Sequence, residues 1–172
     1  MNSSIEIKKR GITSLGTDAI VNAANKWLQE GGGVCGIIFK VAGSKELQIA
    51  CDRYGYCDTG DAVITPAFNL RAKYIIHAVG PVWQGGDHGE EELLKSAYRR
   101  SLELAVENGC TSIGFPLISA GIFMYPLEEA WKVALTSCKE FIDEHKDTSI
   151  RIVFGVIDDN IHAKGNSILQ KI

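Results

Sequence analysis

Short apolar runs alternate with segments of helical periodicity along the whole chain, and that alternation constrains the fold more than any other feature of the sequence. The spacing predicts strands at 5–8, 19–22, 62–65, 74–78, 112–115 and 151–156, and helices at 34–42, 45–54, 91–108 and 127–145. In the third of these helices Leu93, Leu94, Ala97, Leu102, Ala105 and Val106 recur at helical spacing. Glu90, Glu91 and Glu92 stand at its positive N-terminal end, and Gly109 follows as a stop. Strands separated by helices predict an α/β fold, a largely parallel sheet between two helical layers, with ligands bound beyond the carboxyl ends of the strands. At 172 residues the chain suits one compact domain over 1–172, large enough to bury a core without disulfides. No internal repeat, low-complexity tract or linker divides it, and QGGDHG at 84–89 is expected to be the mobile loop.

The junction AIVNAANKWLQEGGGVCG, residues 19–36, is the first candidate site. An apolar strand ends in two asparagines, and three glycines then open a helix. Glycine lets the backbone come close to a ligand, and the first helical turn offers free N–H groups and partial positive charge, so the natural guest is a phosphate. Gly31, Gly33 and Gly36 satisfy G-x-G-x-x-G, yet eight residues separate them from the strand, where a dinucleotide-binding unit has almost none. No Lys-Ser/Thr follows, which excludes a Walker loop. Taken alone, the run reads equally as a flexible turn. A second segment, TSIGFPLISAGIFMYP at 111–126, repeats the arrangement: a buried strand, the small-residue loop Ser119-Ala120-Gly121, and a helix starting near Pro126. Both are strand-exit loops at the same end of the sheet, placed to clamp a diphosphate from two sides.

A net charge of −3 and a sequence pI near 5.8 argue against the broad basic surface that drives nucleic-acid binding. Lys8-Lys9-Arg10 reads as a solvated strand end. The five cysteines are odd in number, contain no C-x-x-C pair and lack zinc-ligand spacing, so reduced thiols and no metal or other cofactor are expected. No apolar stretch is long enough to span a bilayer and none opens the chain, which predicts a cytoplasmic protein without a membrane partner.

The stretches DAIVNAAN (18–25), GGGV (31–34), CDTGDAVIT (57–65), AKYIIHAVGPVW (72–83) and FPLISAGIFMYP (115–126) resemble the macro domain family, and within it the O-acetyl-ADP-ribose deacetylases and mono-ADP-ribosyl hydrolases. They run in family order over nearly the whole chain. The resemblance implies a three-layer α/β/α sandwich around a mixed, largely parallel sheet, with ADP-ribose or a derivative as ligand and an ADP-ribosylated protein as a partner. It places Gly32, Gly33, Val34, Cys35 and Gly36 on one side of the diphosphate, and Ser119, Ala120, Gly121, Ile122 and Phe123 on the other. Asn25 would face the distal ribose, where its amide can both donate and accept.

Several positions depart from the family pattern. Arg10-Gly11-Ile12-Thr13 stands where the family reads Gly-Asp-Ile-Thr, so the acceptor for the adenine amine is absent; Gly11 and Ile12 retain their backbone groups, and Arg10 can stack on the base. Ile157 takes the place of an aromatic that stacks on adenine. GGGVCGIIF replaces GGGVDGAIH, which puts Cys35 where an acidic residue activates or positions water, and Phe39 where there is a histidine. At the start of a helix the Cys35 thiol is open to pKa lowering by the dipole, and the alternative is a small packed side chain. Asn25 and Cys35 are the catalytic candidates. Phe123 is read as a site residue, Tyr125 is undecided, and His77 and Asn22 are read as structural, with Asp58 and Asp61 as turn caps. These residues predict an ADP-ribose-binding domain first. Two alternatives stay open: a hydrolase with non-standard water activation, and a binder of a related nucleotide or RNA end.

Overall fold

The computed structural model describes residues 2–172. Six strands form one sheet in the spatial order β1 (Ser4–Lys9), β6 (Arg151–Val156), β5 (Ser112–Phe115), β2 (Ala19–Ala23), β4 (Tyr74–Ala78) and β3 (Ala62–Pro66). All neighbours are parallel except the edge strand β3, which runs antiparallel to β4. Parallel pairs need crossover connections, which the intervening helices supply. All six strands fall where the apolar runs place them, and the mixed, mostly parallel sheet is the one the resemblance implies.

Period-two alternation divides the core between the two faces. On β2, Ala19 and Val21 point to one side and Ile20 to the other; on β6, Ile152 and Phe154 oppose Val153. The Ile20 face is covered by a 3-10 turn at Ile12–Ser14 with α1 (Gly33–Ala42) and α2 (Ser44–Asp52). The opposite face carries α3 (Glu90–Glu107), α4 (Leu127–Glu144) and α5 (Asp159–Leu169). Among the described residues no helix is long and apolar enough to cross a membrane. All five cysteines are unpaired and buried.

Two regions differ from the sequence reading. Helix α5 is not among the helices that the spacing predicts, and it carries Gly165 in its interior. A Cβ at Gly165 would lie 2.7 Å from the Trp131 ring and 2.9 Å from Ile7 Cδ1, so the glycine is what lets α5 seat against α4 and β1. That contact offsets a helix-interior penalty of about 0.5–1 kcal/mol. The helix is started by Asp158, whose carboxylate accepts from the Ile161 N–H at 3.0 Å.

The 84–89 loop, expected to be mobile, is instead tied down. The buried Glu90 carboxylate accepts from the N–H groups of Gln84 (2.9 Å), Gly86 (2.9 Å) and His88 (2.6 Å). Burial alone would push the Glu90 carboxyl pKa up; donation by these backbone N–H groups outweighs it and holds the group at about 2. Glycines at 85, 86 and 89 let the chain wrap the carboxylate, and all three have positive φ. The composition that suggests flexibility here serves a fixed loop.

Candidate functional site

Strands β2 and β5 are parallel neighbours, so the chain leaves both at the same end of the sheet. Between the exiting loops lies a cleft of about 370 Å³, lined by residues 23–25 and 31–35 on one wall and by 116, 117, 119 and 121–123 on the other. None of these residues carries a charged side chain.

The first wall is shaped by Asn25 and the glycines. Asn25 Oδ1 accepts from the N–H groups of Trp27 (3.2 Å) and Gln29 (3.1 Å), and its Nδ2 donates to the Gln29 carbonyl at 2.9 Å. The amide therefore caps the 25–29 turn and keeps one N–H for a ligand. Helix α1 then starts at Gly33 with φ 58°, behind an N-cap glycine and with no acidic residue in its first turn. Among the described residues the N–H groups of Gly32, Gly33, Val34 and Cys35 have no hydrogen-bond partner. Gly36 does not join them: its N–H donates to the Gly32 carbonyl at 3.3 Å. A Cβ there would stand 2.6 Å from the Gly31 carbonyl oxygen, so Gly36 permits a close backbone approach, and it lies outside the cleft lining.

Cys35 lines the cleft, with its thiol pKa raised. Burial pushes its pKa up, and the Gly31 N–H and Asn22 amide, which pull it down, do not compensate; nearby Glu30 adds to the rise. The rise favours the small packed side chain of the two sequence readings over a dipole-activated thiol. The thiol lies 3.7 Å from Asn22 Nδ2 and donates to the Gln29 carbonyl at 3.8 Å. Behind it, Asn22 Nδ2 lies 3.1 Å from His77 Nδ1, and His77 Nε2 lies 3.0 Å from Thr65 Oγ1. Burial holds His77 neutral, with a pKa lowered to about 3, so the histidine and Asn22 form a neutral support under the first wall.

The second wall owes its shape to residues other than glycine. Ser119 adopts φ 68° and is 5% exposed, and its hydroxyl finds no partner among the described residues. Its carbonyl accepts from Tyr125 N–H at 2.9 Å, and the Phe123 carbonyl accepts from Trp83 N–H at 2.8 Å. The rings of Trp83 and Tyr125 pack at 4.8 Å, which makes Tyr125 a buttress, while Phe123 lines the cleft. Gly80 admits this loop: a Cβ would meet Ser119 Oγ at 2.2 Å and Ile118 Cγ2 at 2.5 Å. The N–H groups of Ser119, Gly121, Ile122 and Phe123 are unpartnered among the described residues.

Ala120, Gly11, Ile12 and Ile157 lie outside the cleft lining. Ala120 is half-buried, and Ile12 is packed in the core beneath the sheet. Gly11 caps the 3-10 turn, and Ile157 is 73% exposed; both follow strands whose carboxyl ends face the same way as those of β2 and β5. Ala23, Ala24, Pro116 and Leu117 line the cleft without having been singled out; their place at the carboxyl end of a strand was the available signal. Among the described residues no group of three His, Cys, Asp or Glu could hold a metal ion.

Two loops, rich in free N–H groups, set at the carboxyl ends of adjacent parallel strands and turning no charged side chain into the space between them, define a backbone-lined anion cleft on an α/β sheet. The chain belongs to the macro domain family, whose sequence model matches residues 21–134. It is 49% identical over 158 residues to a macro domain-containing protein of Chlorobaculum tepidum, covering 92% of this chain and 91% of that one. It is 49% identical over 149 residues to the O-acetyl-ADP-ribose deacetylase of Salmonella typhimurium, covering 84% and 83%. The structure resembles the Oceanobacillus iheyensis macrodomain solved with ADP, with a TM-score of 0.89 and 35% identity over 96% of this chain and 92% of that one.

Proposed function

We propose that the cleft binds ADP-ribose or an ADP-ribose derivative, including the group carried on a modified protein, with the diphosphate held by N–H groups of both loops. The observation that carries this reading is the pairing of free backbone donors from two walls with a lining that holds no charged side chain. Preorganised N–H groups and a helix N-terminus suit a diphosphate and need no cation. The Oceanobacillus macrodomain solved with ADP and the deacetylase named in Salmonella point to the same ligand class. On this reading residues 32–35, 119 and 121–123 bind phosphate, Asn25 offers its remaining N–H to the distal ribose, and Gly11, the Ile12 backbone and Ile157 flank the base. The whole chain, 1–172, acts as one unit, and five unpaired thiols suit a cytoplasmic setting.

Hydrolysis is the second reading, favoured by the name of the Salmonella relative. Against it, no carboxylate lines the cleft and Cys35 is protonated at neutral pH, so general-base help worth about 10²–10⁴-fold is missing. The test is calorimetric titration with ADP-ribose beside an O-acetyl-ADP-ribose hydrolysis assay on the native chain and Cys35→Asp. Binding by both proteins, with turnover at least roughly 100-fold faster in Cys35→Asp, is expected. Fast turnover by the native chain would establish hydrolysis instead, and binding of ADP or AMP in preference to ADP-ribose would change the ligand.

A further inference from the structure

A larger cavity, about 690 Å³, opens at the opposite end of the sheet, between the segment leading into β2, the end of α1 and the β3–β4 connection. Its chemistry is the inverse of the cleft's. Arg71 and Lys73 line it, and neither forms an ion pair among the described residues. Asp18 is the acid in the lining, and it is fixed in place. Its Oδ2 accepts from the N–H and hydroxyl of Thr111 at 2.9 and 3.1 Å, and its carbonyl accepts from Lys73 N–H at 2.7 Å. Donation by the Thr111 N–H, with the Thr111 hydroxyl, the Lys73 charge and the Ser112 N–H beside it, holds the carboxyl pKa below its ordinary value. Ile20 and Leu70 reach its floor from the core, at 3% and 7% exposed, and Val41, 45% exposed, adds the accessible apolar surface.

We propose that this cavity is a second ligand site, for a nucleoside phosphate. Arg71 and Lys73 take the phosphate, since paired cations bind phosphate oxygens through charge-assisted hydrogen bonds. Cations alone would suit free phosphate, but the other walls ask for more. The fixed carboxylate of Asp18 has acceptor lone pairs to offer vicinal sugar hydroxyls, and the exposed Val41 packs against a base. Because Asp18 and Lys73 precede β2 and β4, the site stands at the sheet end away from the cleft, so the two can fill independently.

The experiment is titration of isotope-labelled protein with 5′-AMP and, separately, inorganic phosphate, followed by backbone amide shifts. It uses the native chain, Gly32→Val and Arg71→Ala/Lys73→Ala. Gly32 has φ −89° and nothing within 4 Å of an added Cβ, so valine can fill the cleft without backbone strain. Arg71 and Lys73 are exposed, so their truncation spares the fold. AMP is expected to shift amides at 13–18 and 69–73 in the native chain and in Gly32→Val, and to bind roughly tenfold or more weakly to the double variant. Cleft shifts with ADP-ribose should persist in that variant. AMP shifts confined to the cleft, an unchanged affinity in the double variant, or phosphate binding as tightly as AMP would each overturn the proposal.

Discussion

The two walls of the cleft present the same chemistry, free N–H groups, but reach it by different means. The first is made of glycines set on a helix start, over a buried neutral support of Asn22, His77 and Thr65. The second is an ordinary sequence forced into shape: Ser119 and Met124 hold φ of 68° and 65°, and the loop is locked by Trp83, Tyr125 and the room left at Gly80. Where glycine does the shaping, the local sequence is enough to show it. Where neighbours impose the shape, the information is spread over residues 80–125.

Acid should separate the two walls most strongly. His77 has its pKa lowered to about 3, below its ordinary value of 6.5, so the unfolded chain binds the extra proton first. Stability should therefore fall as pH drops from about 6.5 towards 3, by up to about 1.4 kcal/mol per pH unit. Urea denaturation across that range checks it, with His77→Gln expected to flatten the slope. Glu90, behind the second wall, acts lower. Its pKa is depressed to about 2, so its contribution is complete above its ordinary 4.5 and is lost as pH falls through 4.5 towards 2. The stability difference between the native chain and Glu90→Gln should shrink over that lower window alone.

Backbone room is the next contrast. Gly36→Ala sets a Cβ 2.6 Å from the Gly31 carbonyl oxygen, a backbone atom, so the first wall must shift. A loss of about 1–3 kcal/mol and at least tenfold weaker ADP-ribose binding are expected from melting curves and calorimetry. Gly80→Ala meets only side-chain atoms of Ser119 and Ile118, so it should cost less stability while still weakening binding. The smallest effect is expected for Ser119→Gly. Relief of about 1–2 kcal/mol of left-handed strain exceeds the roughly 0.5–1 kcal/mol entropic cost of glycine, so stability should rise by about 0.5 kcal/mol. If the orphan hydroxyl serves the ligand, affinity falls in the same variant, and that split separates strain from binding.

This contrast also accounts for what the sequence disclosed. Alternation of apolar runs was enough to place every strand, because each is buried on a sheet with period-two faces. The glycine wall was legible for the reason given above. Ser119 was picked out as a small loop residue, but the room for its side chain is left by Gly80, nearly forty residues earlier, which no local pattern reveals. Helix α5 is not among the predicted helices, and its Gly165 serves Trp131 across the helix interface; the 84–89 loop was misread because its glycines serve a buried carboxylate. Cys35 was open in sequence to a dipole-lowered thiol or to a small packed side chain; its burial, which raises the pKa, favours the packed side chain.

The account's central claim is that backbone N–H groups of both walls hold one anionic ligand together. Amide shifts of isotope-labelled protein during ADP-ribose titration test it most directly. Residues 32–35 and residues 119 and 121–123 should move together and saturate with a single Kd. Movement of one wall alone, or of neither, would contradict the claim.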